Sequence, residues 1–296
     1  MNITAQVIQG TQIGAKFGVA TANLLLEALP NIEEGVYLVQ VYWPSKETTP
    51  WEGLLHFGPR KTFGGDFSAE VHILDFKADI YGETLDLTIG KKIRDVQAFK
   101  NADALFTQIE TDILVAQKYF MRQKIWQQWS LVSLTDKEAL AHQAVKHLSA
   151  NAAFLEAQTV FAYAPQLNRE ISFVPELMKA FPEKKYVFPR IEDGLMQFYG
   201  VEHYTDLKPG TYGILEPEKS VPFEPAANDI ILVPSVSVGE DLGRLGQGGG
   251  FYDRWLGEVD EAVKTIAVLP TWAVSPTVPC EKHDQKIDIL ITCEAG

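Results

Sequence analysis

A near-alternating pattern of apolar and polar positions runs through the first hundred residues of the chain. It is clearest in Gly35–Tyr42 and in the segments 69–76 and 83–89, which are rich in β-branched and aromatic residues and are separated by turn residues. Such a pattern places apolar side chains on one face of a strand and polar ones on the other. We therefore predict an antiparallel sheet or a small β-barrel here.

The spacing of apolar residues changes at about Ala102. The residues that recur at near-helical intervals are Leu105, Ile109, Ile113, Met121, Ile125 and Trp129. Neither glycine nor proline interrupts this stretch, so the pattern predicts one long helix, or two abutting helices, over residues 102–130.

Short apolar runs alternate with helix-like segments in the rest of the chain. The runs that predict buried strands are 159–164, 186–189, 213–216, 230–234, 265–269 and 287–292. The segment 139–155 has the pattern of a helix. Alternation of this kind is typical of a mostly parallel α/β sheet.

Length and charge narrow the possible functions. The chain has 296 residues, which suggests two domains, and 46% of them are hydrophobic. Its formal net charge of −13 argues against broad binding to nucleic acid or to an anionic membrane, since both need a basic surface. Any anionic ligand must then be held by a local site.

The two cysteines, Cys280 and Cys293, form no CxxC arrangement, so neither a disulfide framework nor a structural zinc site is expected. The N-terminal residues lack the basic and apolar regions of a signal peptide, and no apolar run has the length of a membrane span. We expect a cytoplasmic protein. No oligomeric state follows from the sequence.

A glycine-rich segment over residues 242–254 carries the strongest chemical signal. Five glycines lie between Gly243 and Gly250, and Arg244 stands among them. Glycines allow a backbone to approach a ligand closely, and N–H groups before a helix can bind an anion. Arg244 suits phosphate and Asp253 suits Mg²⁺. The segment therefore predicts a nucleotide-phosphate site rather than a flexible surface loop.

A second group of glycines lies near the N-terminus. Gly10, Gly14 and Gly18 are spaced by fours and lead into Thr21 and Asn23. The last two would lie on one side of a strand, where a hydroxyl and an amide oxygen suit Mg²⁺ that carries ATP phosphates. On this pattern alone, turns and backbone caps are the favoured interpretation.

Further motifs of this region stand in the order found in the riboflavin kinase family. They are Thr21-Ala22-Asn23, Gly35-Val-Tyr37, the segments 57–63 and 70–76, Tyr81-Gly82, Ile93-Arg94 with Phe99, and the helical segment 105–112. Residues 5–115 resemble this family. The resemblance implies a six-stranded Greek-key β-barrel that transfers the γ-phosphoryl group of ATP to the 5′-hydroxyl of riboflavin, with FMN as product.

The same resemblance implies roles for individual residues. Glu70 is the expected catalytic base, and Arg94 is expected to contact the flavin or the product phosphate. The residues expected to bind ATP are Gly10, Gly14, Lys16, Gly18, Thr21 and Asn23, of which Thr21 and Asn23 also hold Mg²⁺. From the pattern alone, Glu70 could be an outward-facing polar strand residue and Arg94 a surface ion pair. Ala20 and Lys61 stand where the family has prolines, which removes no catalytic group.

The segment from Arg244 to Arg254 resembles the signature of the 5-formyltetrahydrofolate cyclo-ligase (methenyltetrahydrofolate synthetase) family. The supporting residues, in family order, are Lys118 with Arg122, Tyr163 with Glu170, Pro189, Met196, Phe198, Glu216-Pro217, the segment 229–234, His283-Asp284 and Asp288. The similarity spans residues 116–294. It implies a domain with a Rossmann-like open α/β sheet. The implied reaction is the ATP-driven closure of 5-formyltetrahydrofolate to 5,10-methenyltetrahydrofolate.

This second resemblance also implies site residues. Those expected to bind ATP are Lys118, Arg122, Arg244, Gly246, Gly248, Gly250 and Tyr252. Asp253 and Asp284 are expected to hold Mg²⁺, and Glu170 and Phe251 to contact the folate substrate. From spacing alone, a solvated helix face is the favoured interpretation of Lys118 and Arg122. The chain departs from the family at two positions. Gly239 stands where the family usually has an acid, and Asp241 is displaced from that position. Trp129 stands where the family often has a basic residue.

Together these observations predict a multidomain α+β and α/β protein, with a barrel domain over residues 1–115 and an α/β domain over 116–296. The leading hypothesis is a bifunctional enzyme that uses Mg²⁺ and ATP in both halves and acts on small molecules only. Two alternatives stay open. One is a riboflavin kinase whose second half binds nucleotide or folate without catalysis, and the other is a flavin- and folate-binding sensor without either activity.

Overall fold

The chain divides into two compact units. The computed structural model describes residues 1–9, 19–26, 29–46, 49–62, 65–210 and 213–294. The units are Met1–Phe120 and Met121–Gly296, and each is described by itself below. The division after residue 115 stays a prediction.

The first unit is built on a closed antiparallel barrel of six strands among its described residues. The strands are β1 (Asn2–Ile8), β2 (Ala22–Leu26), β3 (Gly35–Tyr42), β4 (Trp51–Pro59), β5 (Phe67–Ile73) and β6 (Thr84–Arg94). Their order around the barrel is β1-β2-β5-β4-β3-β6. The meander β3-β4-β5 is flanked by β6 and β2, which return beside its two ends, and this is a Greek key. The predicted Greek-key barrel is confirmed.

The barrel has an apolar interior because alternate residues of its strands point inward. In β6, Leu85, Leu87 and Ile89 are buried and face Ala5 and Val7 of β1. Each fully buried leucine stabilises the fold by about 1.5–3 kcal/mol. The closed ladder also leaves no edge strand exposed.

One long helix, α1 (Ala102–Leu131), follows the barrel and confirms the helix predicted over residues 102–130. It begins where the Asn101 side chain accepts a hydrogen bond from the backbone N–H of Ala104. Its Ala116 and Phe120 pack with Val36, Leu38 and Leu54 on the outer face of β3 and β4. Strand β3 therefore has apolar residues in contact on both of its faces.

The second unit contains a six-stranded sheet among its described residues. Its further helices are α2 (Leu134–Leu148), α3 (Ala152–Glu156), α4 (Val174–Ala180) and α5 (Phe251–Leu256). Its strands are β7 (Thr159–Phe161), β8 (Lys185–Glu192), β9 (Leu195–Val201), β10 (Lys208–Pro209), β11 (Leu215–Glu216), β12 (Ile230–Leu232), β13 (Ser237–Gly239), β14 (Arg244–Leu245), β15 (Lys264–Pro270), β16 (Val274–Ser275) and β17 (Ile289–Cys293). The order of strands in the large sheet is β17-β15-β12-β7-β8-β9. Neighbouring strands in it are parallel except β8 and β9. The predicted open, mostly parallel α/β sheet is confirmed.

Two of the predicted elements of this unit are wrong. The segment predicted as one helix over 139–155 is two helices, because Asn151 accepts a hydrogen bond from the Phe154 N–H and starts α3. The strand predicted over 213–216 is only β11, which pairs with β10 outside the main sheet. The remaining predicted strands fall on β7, β8, β12, β15 and β17.

A single large apolar cluster fills the second unit. The strands β7 and β12 are buried on both faces, and Trp129 at the end of α1 is 1% exposed. Continuous burial explains why these short strands appear in the sequence as apolar runs rather than as alternating ones. Among the described residues, no helix has both the length and the apolar character needed to cross a membrane.

Candidate active sites

A row of side chains crosses five strands on the outer face of the barrel. The strand register pairs Asn23 with Glu70, Glu70 with His56, His56 with Val36, and Val36 with Arg94. Directly paired residues of antiparallel strands project to the same face. All five residues line one pocket. The barrel therefore brings three of the predicted site residues, Asn23, Glu70 and Arg94, into a single row.

The pocket has a volume of about 340 Å³ and is closed on one side by α1. This volume falls within the usual range for small-molecule sites of about 300–1,000 Å³. The helix contributes Leu105, Phe106, Ile109 and Asp112 to its wall. The wall is thus mostly apolar near the helix and polar along the row.

Glu70 lies at the centre of a polar cluster at one end of this row. Its Oε1 accepts hydrogen bonds from Arg60 Nε at 2.7 Å and Ser68 Oγ at 3.0 Å, and its Oε2 accepts one from Thr21 Oγ1 at 3.2 Å. Glu70 is an outward-facing strand residue, as the simplest interpretation of the sequence allowed, but it faces the pocket rather than open solvent. The predicted base and one predicted Mg²⁺ ligand are therefore in direct contact.

Arg60 connects the two strands of the cluster and was not predicted as a site residue. Its Nη2 donates to Asn23 Oδ1 at 2.6 Å while its Nε donates to Glu70. The planar guanidinium can hold two acceptors at fixed positions, which a lysine cannot do. The sequence signal was its place in the segment 57–63, directly after β4.

The donor atoms of the cluster fit a hard cation. Thr21 offers a hydroxyl, Asn23 an amide oxygen and Glu70 a carboxylate, and Mg²⁺ prefers oxygen ligands of these kinds. A cation at Asn23 Oδ1 would compete with the hydrogen bond that Arg60 donates to this oxygen. The predicted ATP-binding residues Gly10, Gly14, Lys16 and Gly18 lie outside the described residues, and their roles stay predictions.

Arg94 lines the other end of the row and is held in place by α1. Its Nε lies 3.0 and 2.9 Å from the two carboxylate oxygens of Asp112, which is 4% exposed and also accepts from Gln108. The ring of Phe99 lies 5.8 Å from the guanidinium carbon. The pair is thus a partly buried bidentate contact rather than a surface ion pair. A contact of Arg94 with flavin or phosphate stays a prediction.

In the second unit, the glycine-rich segment forms a loop between β14 and α5. Gly248 and Gly250 have φ values of +101° and +66°, which favour glycine. A Cβ on Gly246 would lie 2.7 Å from Arg244 Nη1. The loop can therefore approach a ligand with its backbone. The helix predicted after it is confirmed, but it has only six residues.

The predicted phosphate ligand Arg244 and the predicted metal ligand Asp253 bind each other. Arg244 Nη2 lies 2.5 Å from Asp253 Oδ1, and the two side chains are only 2% and 15% exposed. Arg244 Nη1 donates to the carbonyl of Pro234 at 3.1 Å. Asp253 Oδ1 also accepts from the backbone N–H of Gln285 at 3.3 Å. The ion pair thus ties the loop to the segment that contains Asp284.

Asp284 belongs to a small group of potential metal ligands. One ligand atom each of Glu281, His283 and Asp284 lies within 4.8 Å of the others. Asp284 Oδ2 accepts from the backbone N–H of Glu281 at 2.8 Å. Carboxylate oxygens suit Mg²⁺, so the donor set fits the ion. A shared ion between Asp253 and Asp284 stays a prediction.

Glu170 is buried beside the glycine loop. It is 7% exposed, accepts from the Gln166 N–H at 2.7 Å and from Gln247 Nε2 at 2.9 Å, and its burial raises its pKa to about 6. Burial raises the pKa of the hydroxyls of Tyr163 and Tyr252, and the charge of Glu170 raises both further. Gln247 was not predicted; its contact with Glu170 spans 77 positions of sequence, so no local pattern could indicate it.

Three buried polar atoms of this loop have no hydrogen-bond partner among the described residues. They are Arg244 Nε, Gln247 Oε1 and Tyr252 Oη. A buried polar group without a partner costs about 1–3 kcal/mol, so such groups are retained where they serve a ligand or a water molecule. The donors of Arg244 and Tyr252 and the acceptor of Gln247 fit a polar ligand.

Arg122 connects α1 to the glycine loop. Its Nε donates to the carbonyl of Gly246 at 2.8 Å, and its guanidinium lies 3.5 Å from the position of a Cβ on Gly248. Burial, and the neighbouring charge of Arg244, lower its pKa, while Asp284 and Asp253 raise it. Arg122 is therefore part of the loop site and not a solvated helix face. Lys118 lies one turn earlier on α1, and its role in ATP binding stays a prediction.

The remaining predicted residues have clear local surroundings. Phe251 is half-buried against the core, and the guanidinium of Arg254 lies 4.9 Å from its ring centre. Trp129 packs edge to face with Trp272 at 5.1 Å, so it serves the core. The carboxylate of Asp241 lies 2.6 Å from the position of a Cβ on Gly239 and pairs with Lys286 at 2.8 Å.

The two units thus have the fold and the polar sites of small-molecule enzymes. Residues 1–120 match the riboflavin kinase family model, and residues 115–293 match that of the 5-formyltetrahydrofolate cyclo-ligase family. The second match covers more than half of the chain. The chain belongs to the 5-formyltetrahydrofolate cyclo-ligase family, and its first unit is similar to riboflavin kinases.

Individual relatives agree with this assignment. The chain is 37% identical over 123 residues to a bifunctional riboflavin kinase/FMN adenylyltransferase of Buchnera aphidicola. The matched region is 40% of this chain and 38% of that protein. The chain is 35% identical over 119 residues to the protein of that name from Escherichia coli, with 40% and 37% covered. The chain therefore spans less than two fifths of the length of these relatives. The solved 5,10-methenyltetrahydrofolate synthetase of Aquifex aeolicus is 26% identical, with a TM-score of 0.53, and covers 59% of this chain and 89% of its own.

Proposed function

We propose that this chain is a bifunctional ATP-dependent enzyme. Its first unit phosphorylates riboflavin to FMN, and its second unit closes 5-formyltetrahydrofolate to 5,10-methenyltetrahydrofolate. The family matches of the two units support the pairing of these activities. Both substrates and both products are small molecules.

The cluster around Glu70 supports the kinase activity of the first unit. In the proposed reaction, Glu70 accepts the proton of the riboflavin 5′-hydroxyl. The 5′-oxygen of riboflavin bonds to the γ-phosphorus of ATP, and ADP leaves. Arg60 fixes the positions of Glu70 and Asn23, because its Nε donates to Glu70 Oε1 at 2.7 Å and its Nη2 to Asn23 Oδ1 at 2.6 Å. Thr21 and Asn23 are the residues that would hold Mg²⁺, which neutralises phosphate charge. Positioning and charge neutralisation are the main needs of phosphoryl transfer.

The buried group around Glu170 supports the cyclo-ligase activity of the second unit. In the proposed reaction, the formyl oxygen takes the γ-phosphoryl group of ATP and ADP leaves. N10 then attacks the formyl carbon, and phosphate leaves as N10 loses its proton. Arg122, Arg244 and the loop Gly246–Gly250 surround the expected phosphate position. Glu170, held by Gln166 and Gln247, faces the folate, and Asp253 and Asp284 would hold Mg²⁺.

One observation favours a second candidate function for the second unit. The buried ion pair with Arg244 engages Asp253 Oδ1, the oxygen expected to bind the metal. If this pair persists with nucleotide, the second unit binds its ligands without catalysis and the chain is a riboflavin kinase alone.

A steady-state assay of the purified chain with Mg–ATP tests both proposals. FMN formation is followed from riboflavin, and the absorbance of methenyltetrahydrofolate from 5-formyltetrahydrofolate. We expect Glu70→Gln to abolish FMN formation only, and Glu170→Gln to impair cyclisation only, so each variant is the control for the other. FMN formation without cyclisation would support the second candidate, and the absence of both products would refute the proposal.

A further inference from the structure

His56 is a pocket residue to which neither the family motifs nor the proposed reaction assigns a role. On the row across the barrel it lies between Glu70 of β5 and Val36 of β3, and Arg94 of β6 follows Val36. Neighbouring strands are about 4.8 Å apart, so the His56 backbone lies one strand spacing from that of Glu70. The imidazole is thus the next polar group along the pocket wall from the carboxylate.

The hydrogen bond of His56 fixes which of its ring nitrogens can accept. Its Nε2 lies 3.2 Å from the carbonyl oxygen of Gly58. A carbonyl can only accept, so Nε2 carries the proton and Nδ1 of the neutral ring is an acceptor. Among the described residues, no hydrogen-bond partner is found for Nδ1. The pocket therefore holds one acceptor beside Glu70 that the protein itself does not use.

The surroundings of His56 favour the neutral ring. Burial lowers its pKa below the ordinary value of 6.5, although Glu70 acts in the opposite direction. The charged groups that face it are Glu70 from β5, Arg94 from β6 and Arg60 after β4, and the two arginines lower its pKa further. The neighbour on β3 is the apolar Val36. At neutral pH the imidazole is thus an uncharged acceptor between charged groups.

We propose that His56 is a substrate-positioning residue of the kinase site, and that its Nδ1 accepts a hydrogen bond from a hydroxyl of the flavin's polyol chain. This inference rests on the proposed riboflavin kinase function of the first unit. The hydroxyl that Glu70 deprotonates must lie against that carboxylate, and the polyol chain carries further hydroxyls on the adjacent carbons. A hydroxyl needs an acceptor when it leaves water, and Nδ1 is the acceptor one strand away.

Binding to two flavins separates this role from a structural one. Riboflavin has the polyol chain, whereas lumiflavin has a methyl group in its place, and both are fluorescent. We expect His56→Leu to weaken riboflavin binding about three- to tenfold, as for one lost hydrogen bond, with lumiflavin binding within about twofold. His56→Asn keeps an acceptor and should recover part of the loss. His142→Leu, at a histidine of α2 with a side chain 69% exposed, is the matched control.

Kinetics of the full chain give a second readout. We expect His56→Leu to raise the KM for riboflavin and leave the KM for ATP unchanged. Protonation removes the acceptor, so the KM of the wild type should rise as the pH falls below 6.5, and this limb should be absent in His56→Leu.

The outcomes are distinguishable. If the wild type forms FMN, the kinase function stands. In that case, equal losses of riboflavin and lumiflavin binding in His56→Leu, or no loss of either, would overturn the role of His56. A wild type that neither binds riboflavin nor forms FMN would overturn the proposed function and this inference with it.

Discussion

The ion pair between Arg244 and Asp253 predicts a large loss of stability when one charge is removed. The two side chains are 2% and 15% exposed, and Arg244 donates one further hydrogen bond to the carbonyl of Pro234. Removing one partner from a buried pair costs about 3–5 kcal/mol, because the other charge stays buried without compensation. Asparagine keeps the shape of aspartate and one acceptor oxygen, so we expect about 3 kcal/mol for Asp253→Asn. For a unit of this size, that lowers its Tm by about 6–12 °C.

Thermal unfolding of the full chain, followed by tryptophan fluorescence, measures this loss. The second unit contains Trp126, Trp129, Trp255 and Trp272, four of the six tryptophans, so its unfolding dominates the signal. FMN formation by the first unit, measured below the transition, is the internal control. The matched variant is Glu258→Gln, which alters an exposed carboxylate nearby and should change stability by less than about 0.5 kcal/mol.

A double variant makes the test independent of a general loss of folding. Arg244→Met combined with Asp253→Leu removes both charges and fills the space, so it should recover most of the stability. If Asp253→Asn is as stable as the wild type, the buried pair does not contribute as the geometry demands. Loss of cyclisation in a fully stable Asp253→Asn would instead point to Asp253 as a metal ligand.

Three further predictions concern single residues. Arg60→Ala removes the bridge between Glu70 and Asn23 and should lower kcat/KM for FMN formation about 10- to 100-fold, whereas Lys77→Ala, at an exposed lysine, should not. Glu170 has a pKa raised from 4.5 to about 6, so the folded state binds the extra proton and its stability falls as the pH rises through this window. The loss is about 2 kcal/mol above pH 6, and urea unfolding should show it in the wild type but not in Glu170→Gln. Gly248→Ala places a Cβ at φ +101° and should weaken ATP binding in calorimetric titration, while Gly257→Ala, at φ −64°, should not.

The sequence predicts the elements of this protein better than their ends. The barrel and the long helix follow from periodicity, because burial on one face imposes a repeat on the residues. The break at Asn151 was missed since a single capping hydrogen bond decides it, and apolar spacing continues across it. β11 was misplaced in the main sheet because an apolar run does not show which strand it pairs with.

The candidate sites show the same division between local and distant information. Glu70, Arg244 and Glu170 stand in recognisable motifs, and the structure places each among other polar groups. Arg60, Gln247 and His56 were not predicted as site residues, since their contacts depend on strand register or on loops far apart in sequence. Residues of this kind become visible only when the fold brings separate segments together.

Both sites hold their polar groups through contacts within the protein, and this has a consequence for binding. Asn23 is bound by Arg60, and Asp253 is bound by Arg244, although each oxygen is a predicted metal ligand. A cation that binds these oxygens competes with a charge-assisted hydrogen bond, which lowers its net affinity. The same bonds hold the groups in defined positions, so the ligand loses less entropy in ordering them. Because the pair in the second unit is the more deeply buried, breaking its hydrogen bond costs more there than at Asn23.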